Sequence, residues 1–183
     1  NSRLRDRLAA GSLRESDIDH GLLRLVYRLL FSFVAEDRGL LLDPHGGELR
    51  GPEHVRVCLD HLHAGRLGHG VRSAEDPRLM ERLASSGVAV EVCPVSNVAL
   101  GVYSDLTSVP LPQLLEAGVT VALGADDPLL FGSRLAAQYA TMRAAHDLTD
   151  DQLAELARMS LRASRAPRSD VARWLAEVDA WLG

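Results

Sequence analysis

The chain has 183 residues, 46% of them hydrophobic and 25% charged, with a formal net charge of -5. That balance provides apolar material for a core and no basic field to recruit nucleic-acid phosphates. Cys58 and Cys93 are too few for a disulfide framework, no run reaches the ~20 apolar residues of a membrane span, and Asn1–Arg7 precedes no apolar signal core, so a cytoplasmic location is expected.

Residues 1–38 read as a helical segment. Leu22, Leu23, Val26, Leu29, Leu30 and Phe33 recur at helical spacing, and Ser16 or Asp17 is a candidate cap. From Gly39 short apolar runs alternate with helices. Leu40–Leu42 is a strand candidate, and Pro52 opens a helix to about His63. Arg66–His69 is a short strand, and Asp76–Pro77 begins a helix that stops at Gly87. Val88–Cys93 is a strand, Leu111–Ala117 a helix, and Val119–Leu123 a strand. Helices are predicted from about Phe131 to His146, Asp150 to Met159 and Ser169 to Leu182. The alternation predicts βα units on a parallel sheet. The nearly all-apolar runs at Leu40, Val88 and Val119 suit strands covered on both faces. Four strands are half of what a closed (β/α)₈ barrel of ~250 residues needs.

Residues capable of chemistry cluster at the ends of these strands. His45 and Glu48 follow the first, His69 the second, Ser96 and Asn97 the third, and Asp126 and Asp127 the fourth. In α/β barrels the C-terminal strand ends converge on one mouth, where active sites are built. Imidazole and carboxylate are zinc ligands, and a catalytic zinc keeps a position for water. Taken singly the residues say little. A lone histidine after a strand is ordinarily a surface or capping residue, and Asp126-Asp127-Pro128 suits a helix cap. Cys58 and Cys93 read as small core residues. His61 and His63 lie near a helix end, where i and i+2 diverge, and read as structural.

As a set the motifs are specific. His45-Gly46-Gly47-Glu48, Gly51-Pro52-Glu53-His54-Val55, Arg66-Leu67-Gly68-His69-Gly70, Glu91-Val92-Cys93-Pro94-Val95-Ser96-Asn97 and Gly124-Ala125-Asp126-Asp127-Pro128 resemble the adenosine deaminase family in order and spacing. The resemblance runs from about Gly39 to Gly183. It implies the C-terminal half of a zinc-dependent (β/α)₈ barrel over residues 39–183. It also implies hydrolytic deamination of adenosine to inosine and ammonia, with adenine or a modified adenosine as the alternative substrate. By motif, His45 and Asp126 resemble zinc ligands. Glu48 resembles the acid that protonates purine N1, and His69 the histidine that orients or deprotonates water. Asp127 resembles the residue that contacts N7, and Gly47 is a substrate-binding candidate.

The family opens on a strand bearing His-x-His, which supplies two further zinc ligands, and this sequence shows no such strand. Residues 22–36 instead bear a short resemblance to a helical stretch of bacterial DNA-methyltransferase and restriction proteins. A junction near Arg38-Gly39-Leu40, as in a truncated or fused gene product, is therefore expected. Two ligands are few for a catalytic zinc, so the chain alone is expected to be weakly active or an inactive remnant. Open sheet edges invite self-association. Neither a nucleic-acid nor a membrane partner is expected.

Overall fold

Where the sequence alternates apolar runs with helix signals, the computed structural model has a parallel sheet. It describes residues 43–183. The predicted N-terminal helix and the strand candidate Leu40–Leu42 lie outside the described residues. Strands β1 (His45–Gly46), β2 (Arg66–His69), β3 (Ala89–Val92) and β4 (Val121–Leu123) form one sheet in the order β1-β2-β3-β4. Every neighbouring pair is parallel. Parallel neighbours need crossovers, and helices supply them. They are α1 (Pro52–His61), α2 (Pro77–Ser86), α3 (Pro94–Ala99) and α4 (Leu111–Glu116), followed by α5 (Pro128–Phe131), α6 (Leu135–His146), α7 (Asp150–Arg162) and α8 (Arg168–Leu182). Short 3₁₀ turns fall at Val71–Glu75 and Leu106–Ser108.

Local chemistry sets the helix ends. Asp76 accepts hydrogen bonds from the backbone N–H groups of Arg78 and Leu79, and Pro77 occupies the first turn of α2. Gly87 closes α2 in the left-handed conformation, with φ of 70°. Between these ends α2 buries Leu79 and Leu83 against the sheet. Truncating either to Ala would cost roughly 2–5 kcal/mol. Thr149 and Gln152 form a reciprocal capping box at the start of α7.

Alternation along the strands divides two environments. Leu67, Val90, Val92 and Val121 are fully buried in the core. Gly68, Glu91 and Cys93 line a cavity on the opposite face. Two predicted elements differ from the structure in ways that bear on the site. His45 was expected after a strand, but it is itself the first residue of β1. Hydrogen bonds from Gly68 N–H to Pro44 and from Gly70 N–H to Gly46 flank that pairing. The helix expected from about Phe131 is instead two helices, because Gly132 caps α5 with φ of 66° and α6 begins only at Leu135. Ser96 and Asn97, expected just after the third strand, do follow β3 and lie in the short helix α3, which Pro94 opens.

Candidate active site

β1 carries His45 to the rim of the cavity, and a neighbouring glycine makes room for its ring. In register, His45 stands opposite Gly68 of β2. A Cβ at Gly68 would lie 2.6 Å from Cδ2 of His45, so any larger residue there would displace the imidazole. His45 itself is solvent-exposed.

His69 is 3% exposed and ends β2. Strict alternation would send it to the core face with Leu67. Its backbone is left-handed instead, with φ of 68°, and it lines the cavity beside Gly68. Such a conformation is costly for a residue with a Cβ and gathers at functional sites. His69 Nε2 lies 3.3 Å from His45 Nδ1, and its Nδ1 lies 3.5 Å from Glu48 Oε1. Ligand atoms of His45, Glu48 and His69 all fall within 4.8 Å of one another. Glu48 Oε1 and His69 Nδ1 are buried with no hydrogen-bond partner among the described residues. Burial pushes the pKa of His69 below its ordinary value, an effect opposed by the charge of Glu48 and reinforced by His45.

The loop after β4 brings Asp126 to the same cavity, of about 310 Å³, which His45 and His69 also line. Asp126 too is left-handed, with φ of 56°. Asp127 does not line the cavity. Its carboxylate accepts hydrogen bonds from the N–H groups of Leu129 and Leu130 and caps α5. Gly47 does not line the cavity either; its φ is 68°, and a Cβ there would meet Val55 Cγ2 at 2.3 Å. Its carbonyl accepts a hydrogen bond from Arg72 N–H.

Sequence reasoning missed two cavity residues. Cys93, read as core, lines the cavity. Its thiol is pushed up to about 12, first by burial and then by the charges of Asp126 and Glu91, so it stays protonated at neutral pH. Glu91 lines the cavity as well. The signal for it was present: a single charge in an otherwise apolar strand.

A parallel sheet with imidazole and carboxylate groups gathered at its strand ends is the arrangement of an α/β-barrel enzyme site, with donors that a metal ion takes. The comparisons narrow this class. The model of the family described as Adenosine deaminase matches residues 4–181, and the chain belongs to that family. A Streptomyces virginiae protein provisionally named adenosine/adenine deaminase is 57% identical over 180 residues, covering 98% of this chain and 52% of that protein. The solved structure of adenine deaminase from Arthrobacter aurescens is 33% identical with a TM-score of 0.79, covering 82% of this chain and 46% of that one. A Burkholderia ambifaria amidohydrolase with bound Zn shares the fold at 21% identity and a TM-score of 0.73, covering 81% of this chain and 42% of that one. The four strands with their helices thus match part of the TIM-barrel fold of these neighbours. The chain spans about half the length of the curated relatives it matches. The family match takes in residues before Gly39, and a DNA-methyltransferase likeness there finds no support.

Proposed function

We propose that this chain serves the hydrolytic deamination of a 6-aminopurine, adenosine or adenine, with zinc as cofactor. The observation that carries the reading is the cavity that His45, His69 and Asp126 share, with Glu48 Oε1 3.5 Å from His69 Nδ1. Imidazole nitrogen and carboxylate oxygen are the donors zinc takes. Two buried polar atoms of these residues, Glu48 Oε1 and His69 Nδ1, have no partner among the described residues. The zinc in the Burkholderia neighbour and the purines in the relatives' names support the same reading.

In this reading His45 and Asp126 hold the ion. When bound, it supplies a Lewis acid that brings the pKa of a water towards neutrality. Glu48 relays a proton to ring N1 of the purine and so makes C6 more electrophilic. His69, kept neutral by burial, accepts a proton from the attacking water. A C6–O bond forms, the amino group takes up the proton held by His69, the C6–N bond breaks and ammonia leaves, and the new C6 hydroxyl returns a proton to Glu48. The products are inosine or hypoxanthine. Asp127 would contact N7 and Gly47 the substrate through its backbone, although the Asp127 carboxylate already serves α5.

Two donors fall short of the three protein ligands usual for a catalytic zinc, so weak metal binding and slow turnover are expected of the chain alone. Titrating the metal-free chain with zinc, then assaying adenosine and adenine for ammonia release, tests the reading. Zinc-dependent inosine or hypoxanthine formation that Glu48→Gln abolishes supports it. An absence of zinc binding, or product no greater than in Glu48→Gln, overturns it.

A further inference from the structure

We infer that Arg66 is a positioning residue for this centre, holding Glu91 in the cavity wall and the start of the strand that carries His45. The inference rests on the reading of the cavity as a metal site. Arg66 opens β2, on the same face as Gly68. Its Nε and Nη2 both lie 2.5 Å from Glu91 Oε1. Its Nη1 donates to the carbonyl of Ala163, the C-cap of α7, at 2.9 Å. Its Nε also lies 3.8 Å from Oδ2 of Asp43, two residues before His45.

One guanidinium therefore ties together three parts of the fold: the approach to β1, the cavity face of β3 and the end of α7. Only the planar fork of arginine reaches acceptors in three directions at once, because a lysine ammonium is a point charge. A cation at the C-terminal end of α7 is also favoured by that helix's dipole. Partly buried ion pairs such as this one are weak sources of stability, since apolar residues of like size often do as well. Placement is what this pair supplies. The carboxylate it fixes lines the same cavity as His45, His69 and Asp126. Neither Arg66 nor Glu91 is assigned to the zinc ligands or to proton transfer, so both act through their neighbours.

The test uses the full chain, with zinc affinity measured by chelator competition and imidazole ¹⁵N resonances recorded on metal-free protein. Arg66→Met and Glu91→Gln should each weaken zinc about tenfold, the usual effect of removing a partner that orients a ligand. The double variant should lose no more than either single one, and Arg66→Lys should fail to restore affinity. Both single variants should shift the His45 ring resonances. Wild-type affinity with unchanged resonances in Glu91→Gln would overturn the inference, as would fully additive losses. If Arg66→Met fails to fold by circular dichroism, the near-isosteric Glu91→Gln decides alone. A wild-type chain that binds no zinc overturns the functional reading instead, and the His45 resonances then decide this one.

Discussion

His69 presents Nε2 to Nδ1 of His45 at 3.3 Å, with the two rings nearly perpendicular at 83°. Of two facing imidazole nitrogens, one must carry the proton and the other the lone pair. His69 Nδ1 lies 3.5 Å from Glu48 Oε1, so His69 stands between His45 and Glu48. The two histidines thus have different tasks, and substitution separates them. His45→Gln should weaken zinc at least about tenfold. His69→Gln should retain zinc to within a few-fold while turnover falls by roughly 10²–10⁴. Metal analysis beside an ammonia-release assay reads both effects. Loss of zinc from His69→Gln with retention by His45→Gln would exchange the two roles.

How far the sequence revealed this site depends on what governs each residue. Val90, Val92 and Val121 were legible as strand residues because apolar side chains covered on both faces leave a continuous run. The gathering of His45, His69 and Asp126 followed from strand order and from the rule that strand ends share a mouth. The aim of individual side chains was not legible. His69 faces the cavity only because its backbone is left-handed, which no periodicity announces. Asp127 and Asp126 are adjacent and alike in type, yet the first caps α5 and the second lines the cavity. The break between α5 and α6 turns on Gly132, an isolated glycine that a helical pattern would tolerate.

The glycines beside the histidines should respond differently to a single methyl group. Gly68 lies in a strand, and its Cβ would strike the His45 ring, which has solvent to move into. Gly68→Ala should therefore fold, with a loss of no more than about 1–3 kcal/mol, but weaken zinc severalfold through displacement of His45. Gly47 combines a positive φ with a Cβ position 2.3 Å from Val55 Cγ2, an atom in the buried core. Gly47→Ala should cost more stability than Gly68→Ala, because strain adds to overpacking. Denaturant titration of both variants checks the order, and equal losses would contradict it.

Stability should fall in mild acid, partly through His146. Burial lowers its pKa below the ordinary 6.5, with a backbone contact to Leu106 partly opposing. Its Nε2 is buried without a hydrogen-bond partner among the described residues. The unfolded chain then binds the proton more readily, and stability rises with pH wherever that holds. The contribution is complete above 6.5 and is lost as pH falls towards the depressed folded value. Burial shifts His69 in the same direction. Midpoints of denaturation measured from pH 7 to 5 on metal-free protein should decline, with a slope of at most about 1.4 kcal/mol per pH unit per histidine. His146→Leu should flatten that decline without removing it. Identical slopes for the two proteins would exclude His146 as a source.

Asp127 faces two demands, and serine can tell them apart. As the cap of α5 its carboxylate accepts from two backbone N–H groups. Serine caps nearly as well, whereas alanine loses roughly 1 kcal/mol. If capping is the whole of its role, Asp127→Ala should lower stability while Asp127→Ser leaves both stability and turnover near the wild-type level. If the carboxylate also binds N7 of the purine, Asp127→Ser should keep its unfolding midpoint and lose kcat/KM by about tenfold or more, the worth of one charge-assisted hydrogen bond. The second pattern is expected, because the neighbouring Asp126 already brings this loop to the cavity rim. A serine variant with unaltered kcat/KM for both adenosine and adenine would remove Asp127 from the substrate site.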